Sequence, residues 1–159
     1  MDTEGRSRWE EAFRAEGVRL WRALLLDTGS WEVASDAVSE AFAQGIARGD
    51  AVRNPGAWVW KAAFVIAHGE LQRTRAGDPP EALSSPPLEA EAPESIIDLV
   101  RALRRLPAQQ RASTILHYYA GYSLSEIAAI LGSSRSSVGV HLYRARKRLR
   151  KELGDDYGH

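Results

Sequence analysis

The sequence predicts an all-α protein, two small helical domains joined by a flexible acidic, Pro-rich linker. Three observations lead there. Apolar residues recur at helical spacing along most of the 159 residues, and strand-like alternation is weak. One stretch, 76–95, interrupts this periodicity with five of the seven prolines and no Lys or Arg. Proline removes a backbone donor and acidic residues keep a chain solvated, so this stretch reads as a linker. The charge also divides there. Residues 1–95 hold 10 Lys or Arg against 16 Asp or Glu, and residues 96–159 hold 11 against 5. The net charge of zero therefore hides an acidic half and a basic half, the asymmetry expected when a nucleic-acid-binding part is joined to a different part. The boundaries are residues 1–75, a linker at 76–95, a second domain at 96–153 and a tail at 154–159.

The first domain holds three helices. The first spans about Arg8 to Leu26, with Trp9, Phe13, Leu20, Trp21 and Leu24 as core. The second spans about Ser30 to Arg48, with Val33, Ala37, Ala41 and Phe42 inward. A loop follows, and Asn54-Pro55 forms an N-cap and first-turn pair that starts a third helix to Arg75. That helix carries Trp58, Trp60, Phe64, Val65 and Ile66 on more than one side, so part of it packs deeply. After the linker, a helix from Pro93 to Leu106 presents Ile96, Ile97, Leu99, Val100 and Leu103. Pro107 stops it, and another helix runs from Ala108 to Tyr119.

Residues 122–151 are the most informative. Ser123 or Ser125 caps a helix, and Glu126 sits three residues after Ser123, as a capping box requires. Leu124, Ile127, Ala128 and Leu131 face inward, and Gly132 supplies a left-handed end. Ser133 or Ser134 caps the next helix, where Val138, Leu142, Ala145 and Leu149 form an apolar stripe. Seven cations, Arg135, Arg144, Arg146, Lys147, Arg148, Arg150 and Lys151, cover the rest of its surface. Such a helix is suited to a polyanion, because phosphate neutralisation releases counterions. The arrangement is that of a helix-turn-helix with its second helix in the DNA major groove. Arg135, Ser136, Gly139, Val140 and Tyr143 lie in its first turns and can reach base edges. Arg144 and Lys147 follow, better placed for phosphates.

Other classes are poorly supported. There are no cysteines, and His68, His117, His141 and His159 lack metal-ligand spacing, so no metal or other cofactor is expected. No nucleophile–base pair, paired-carboxylate motif or phosphate loop stands out, which argues against an enzyme. No apolar run approaches a membrane span and the charged N-terminus lacks a signal-peptide core, so membrane insertion is not expected and a cytoplasmic location is.

The second half resembles region 4 of bacterial sigma factors. Leu103-Arg104-Arg105-Leu106-Pro107-Ala108-Gln109-Gln110-Arg111, then His117 through Ala128 with its Ser125-Glu126-Ile127-Ala128, follow that family's pattern, and Leu131-Gly132 and Val138…Leu142…Arg144-Ala145-Arg146 continue it. The first half is similar to region 2: Ala34-Ser35-Asp36-Ala37-Val38-Ser39-Glu40-Ala41-Phe42 and Arg53-Asn54-Pro55-Gly56-Ala57-Trp58-Val59-Trp60-Lys61 carry the likeness. Two such regions and a linker have the size and order of the extracytoplasmic-function, or group 4, class. The resemblance implies core RNA polymerase and promoter DNA as partners, with an anti-sigma factor as a further one. It implies that region 4 reads the −35 element, and that region 2 recognises and melts the −10 element. The loop Arg48–Asn54, with Arg48, Arg53 and Asn54, would capture bases. Trp58, Trp60, Lys61 and Phe64 would support the junction of duplex and open strand, and Asp36 and Glu40 would dock the polymerase clamp. The linker would lie near the RNA exit path.

The sequence departs from the family pattern at several positions. Ser39 replaces a usual Gln, Val65 a usual Asn and Gly69 an Asp. The basic cluster ending region 2 is thinned to Arg73 and Arg75 after Gln72, and Gly139, Val140 and His141 stand where Lys/Arg, Ser and Arg are usual. Val140 retains the means to touch a thymine methyl. These departures leave two alternatives: a stand-alone helix-turn-helix regulator that dimerises on a palindrome, and a degenerate sigma-like protein that acts by binding polymerase or an anti-sigma factor. The opposite charges of the halves predict that they associate in the free protein.

Overall fold

The computed structural model describes residues 2–75 and 93–154. Most of the linker and the residues after 154 thus lie outside the described residues. Seven α-helices make up the described chain: α1 Thr3–Thr28, α2 Trp31–Arg48, α3 Pro55–Arg75, α4 Glu94–Arg105, α5 Ala108–Thr114, α6 Leu124–Leu131 and α7 Arg135–Leu153. A 3₁₀ turn, Gly49–Ala51, joins α2 to the loop before α3. A π-helical turn, Ile115–Tyr119, continues α5.

In the first half α1, α2 and α3 pack on one another. Ser30 caps α2 by accepting from the Val33 amide at 3.1 Å, and Asn54 caps α3 through Ala57 N at 3.2 Å. Trp9, Leu20, Leu24, Ala37, Ala41, Phe42, Trp60 and Phe64 are buried. Gly45 lets α2 approach the aromatic cluster: a Cβ there would lie 2.3 Å from Trp9 Cη2 and 3.1 Å from Trp58 Cζ3. Phe13 departs from its expected core position and is 58% exposed. Trp9 and Phe42 already fill the interior, so Phe13 lies over Gly17 at the rim, its ring edge-on to Phe42 at 5.1 Å. Val65, one of the apolar residues of the third helix, is 60% exposed, because α3 buries its other faces.

In the second half the caps occur at the expected residues. Ser123 and Glu126 form a capping box, Gly132 ends α6 with φ 64°, and Ser134 caps α7 through the Ser137 amide at 3.1 Å. Val138, Leu142, Ala145 and Leu149 are all buried, with Ala102, Leu103 and Leu106 packed against the end of that stripe. The helix expected through Tyr119 is regular only to Thr114. Beyond it, Ala120 N bonds to Ile115 O at 3.1 Å and Tyr122 N to Leu116 O at 3.0 Å, which widens the turn before the helix-turn-helix.

The two halves associate, as their charges predict. α6 packs on α3, and α1 touches α4, α5 and the π turn, so one hydrophobic core runs through both halves. Asp27, wholly buried at the end of α1, is the polar centre of this contact. Its carboxylate meets His68 Nε2 of α3 at 2.7 Å and accepts from Arg111 Nε of α5 at 3.3 Å. Arg111 Nη1 also donates to Leu106 O at 3.0 Å. The Arg104 guanidinium fills the space beside Gly29 where a Cβ would stand. Desolvation, then Arg111, lowers the pKa of Arg104, and Asp27 opposes them.

Candidate nucleic-acid interface

Helix α7 is positioned by its own apolar stripe. Burying Val138, Leu142, Ala145 and Leu149 turns the opposite face of α7 to solvent. Arg135, Ser136, Val140, Tyr143, Arg144 and Lys147 all lie exposed there, with Val140 at 45% and Tyr143 at 61%. Gly139 is half-buried, 3.7 Å from Leu124 of α6 by its would-be Cβ, so it sits at the helix–helix contact and not at the tip of the exposed face. Ser136, Ser137, Val140, His141 and Arg144 line one shallow hollow along α7. Lys147 Nζ lies 5.9 Å from the Tyr143 ring centre, and Arg146 Nη1 donates to Tyr118 Oη at 2.9 Å, which fixes one cation of the row.

The candidate −10 residues divide into two groups. Arg48, Arg53, Asn54 and Lys61 are exposed, around the loop between α2 and α3. Arg8 holds that loop by donating to Val52 O at 2.5 Å, and Arg48 lies over the Trp58 ring at 5.4 Å. Trp60 and Phe64 are 0% and 1% exposed. Their rings stack at 6.2 Å, and Tyr122 of the second half meets Trp60 edge-on at 5.3 Å. Trp60 Nε1 donates to Glu16 Oε2 at 3.0 Å. Arg19 pairs with Glu16 at 3.2 Å, lies over Trp60 and donates to the Ala120 carbonyl of the other half. In this closed arrangement no DNA base can reach Trp60 or Phe64. Burial together with Glu16 raises the Tyr122 hydroxyl to about 12.

Asp36 and Glu40 are exposed on α2, and Glu40 Oε1 accepts from Gln44 Nε2 at 2.9 Å. They share a groove with Ser39, Val65, Ile66 and Gly69 of α2 and α3. The sequence marks Val65 only as one of several apolar residues of the third helix, and its place in this groove was missed. The signal was present, since an apolar residue on a third side of α3 has no partner within the domain. Among the described residues no group of three His, Cys, Asp or Glu is placed to hold a metal, and no helix is long and apolar enough to cross a membrane.

The family model described as Sigma-70, region 4 matches residues 96–149. The ECF RNA polymerase sigma factor SigM of Mycobacterium tuberculosis is 30% identical over 160 residues, with 92% of this chain and 77% of that protein covered. The ECF sigma factor SigL of the same organism is 30% identical over 152 residues, covering 85% and 84%. BldN, an ECF sigma factor of Streptomyces coelicolor, is 27% identical over 150 residues, covering 86% of this chain and 57% of that protein. The sigma factor RpoE of Bartonella quintana, solved with the anti-sigma factor NepR, has the same fold. The TM-score is 0.78, identity 22%, and coverage 98% of this chain and 99% of that one.

Proposed function

As the chain belongs to the extracytoplasmic-function sigma factors of RNA polymerase, we propose a division of labour among its exposed surfaces. It is a factor that binds core polymerase and directs promoter-specific initiation, and its two halves are the −10 and −35 readers. The face of α7 supports the −35 role most strongly. Arg135, Ser136, Val140 and Tyr143 are set for the major groove, and Arg144 and Lys147 for the flanking phosphates. The second half spans residues 96–153. Gly139 shapes the helix contact, so Val140 and Ser136 carry base discrimination.

In the first half, residues 1–75, the exposed Arg48, Arg53, Asn54 and Lys61 capture the −10 strand. Trp60 and Phe64 join them only after Tyr122 withdraws, which makes the closed form the resting state. Asp36 and Glu40, at the edge of the α2–α3 groove, dock polymerase, with Val65 supplying apolar contact where the family pattern has Asn. The protein works in the cytoplasm, where an anti-sigma factor is its regulator.

In vitro transcription tests this. Core polymerase free of other sigma factors is mixed with the protein and pooled genomic DNA, and transcript 5′ ends are sequenced. Starts that share one −35 and −10 pair are expected. Polymerase binding without starts supports the degenerate sigma-like reading, and failure of both supports the stand-alone regulator.

A further inference from the structure

The closed arrangement creates a cleft of about 440 Å³ between the halves. One wall is the loop after α2 with the start of α3, carrying Arg48, Arg53, Trp58 and Lys61. The other is Tyr122 and the outer face of α6, including Ala129. The volume lies within the ~300–1,000 Å³ typical of small-ligand sites, which occur preferentially at domain interfaces.

The lining has a definite chemistry. It is mainly apolar, with two aromatic rings and three cations. Glu126 is its single carboxylate, and that group is already committed: it accepts from Ser123 N at 3.0 Å, a bond that lowers its pKa. Among the described residues no ion pair or hydrogen bond engages the Arg53 guanidinium or the Lys61 ammonium, while the Arg53 carbonyl accepts from Arg8 Nη2 at 3.2 Å. A small inorganic anion would leave the apolar walls uncovered, and a neutral aromatic would leave the cations unmatched. A planar aromatic body carrying an anionic group satisfies both. Because α6 of the other half forms the opposite wall, the space suits one nucleotide and not a continuous strand. Aromatic faces with a basic rim are the means by which proteins hold single bases.

We propose that this cleft binds a purine mononucleotide, or a planar anion of that size, and that the ligand holds the protein closed. The proposal rests on the sigma-factor reading for its consequence but not for the binding itself. The ligand's contacts come from both halves, so it binds only the closed form and stabilises it by mass action. Trp60 then remains covered and initiation falls.

The test uses the full chain in titration calorimetry with AMP and GMP, and with adenosine and inorganic phosphate as controls. Saturable binding of a mononucleotide is expected. Either control should bind roughly tenfold more weakly or worse, the loss expected when a stacked base or its charge partner is removed. Ala129→Trp fills the cleft from an exposed α6 position outside the proposed DNA contacts and should also weaken binding roughly tenfold or more. Lys61→Met serves as a second variant in the binding assay alone. In transcription with core polymerase, the nucleotide should lower wild-type output and leave the Ala129→Trp output unaffected. No saturable binding into the millimolar range, or equal binding by both variants and wild type, overturns the proposal. Absence of wild-type transcripts without nucleotide counts against the sigma reading instead, and the calorimetry then decides the site alone.

Discussion

Asp27 is the residue whose removal should do most damage per atom changed. Its side chain is fully buried, Arg111 is 9% exposed, and the carboxylate is the shared partner of Arg111 and His68. Asp27→Ala leaves a guanidinium buried without its counter-charge, a situation that costs ~3–5 kcal/mol. Asp27→Asn keeps the shape and one acceptor but loses the charge, so the loss should be that of a charge-assisted hydrogen bond, about 1.5–3 kcal/mol. Each kcal/mol lowers Tm by roughly 2–4 °C in a chain of this size, which gives a fall of about 6–20 °C for alanine and about 3–12 °C for asparagine. Thermal unfolding followed by circular dichroism reads this directly. The position of the group adds a second readout. His68 belongs to the first half and Arg111 to the second, so part of the loss falls on the contact between halves. Small-angle scattering should show the Asp27→Asn protein expanded relative to wild type. A double variant with Arg111→Gln should be less destabilised than the sum of the two, because the groups act as one unit. A Tm within about 1 °C of wild type for Asp27→Ala, far below the change a broken buried pair produces, would refute the reasoning.

Three other outcomes are expected. Gly45→Ala places a methyl 2.3 Å from the Trp9 ring, and overpacking of this kind should destabilise the fold by ~1–3 kcal/mol in chemical denaturation. Replacing both Arg144 and Lys147 with Ala should flatten the dependence of log K on log salt for polymerase holoenzyme on duplex DNA by up to about 1.8, since each phosphate contact contributes about 0.9. The Tyr122 hydroxyl titrates near 12 in the folded protein and at 10.0 when unperturbed. The Tyr122 contribution to the closed form should therefore be fully present below pH 10 and be lost as pH rises from 10.0 through about 12. Scattering or hydrogen exchange across that range should show opening in wild type, and a smaller change in Tyr122→Phe.

The helix-turn-helix was almost fully legible, because its signals are local. Ser123 with Glu126, Gly132, Ser134 and the stripe from Val138 to Leu149 each act within a few residues, and each occupies its expected place. Association of the halves was legible as charge, yet the groups at its centre were not. Asp27 reads as one more surface carboxylate until α3 and α5 close over it, and nothing near it in sequence marks Arg111 as its partner. The same limit applies to Trp60 and Phe64. Their chemistry suits DNA, but both are buried, and Tyr122, which packs edge-on against Trp60, lies far along the chain. Phe13 failed for another reason. Helical periodicity identifies an apolar face without saying whether a neighbour fills it first, and Trp9 and Phe42 had already filled the place expected for Phe13. The π turn at Ile115–Tyr119 has no sequence signature in its five residues, and it precedes Tyr122, which packs on Trp60 of α3.

Closure covers Trp60 and Phe64 and leaves the cationic face of α7 open, and on the proposed assignment this sets an order of events. The cationic side of α7 faces solvent even when Trp60 does not. On the proposed assignment, a resting molecule can make loose, salt-sensitive encounters with any duplex while Trp60 and Phe64 stay covered. If Trp60 and Phe64 take the proposed part in strand capture, search and capture become successive steps, the second following only where something has first drawn the halves apart.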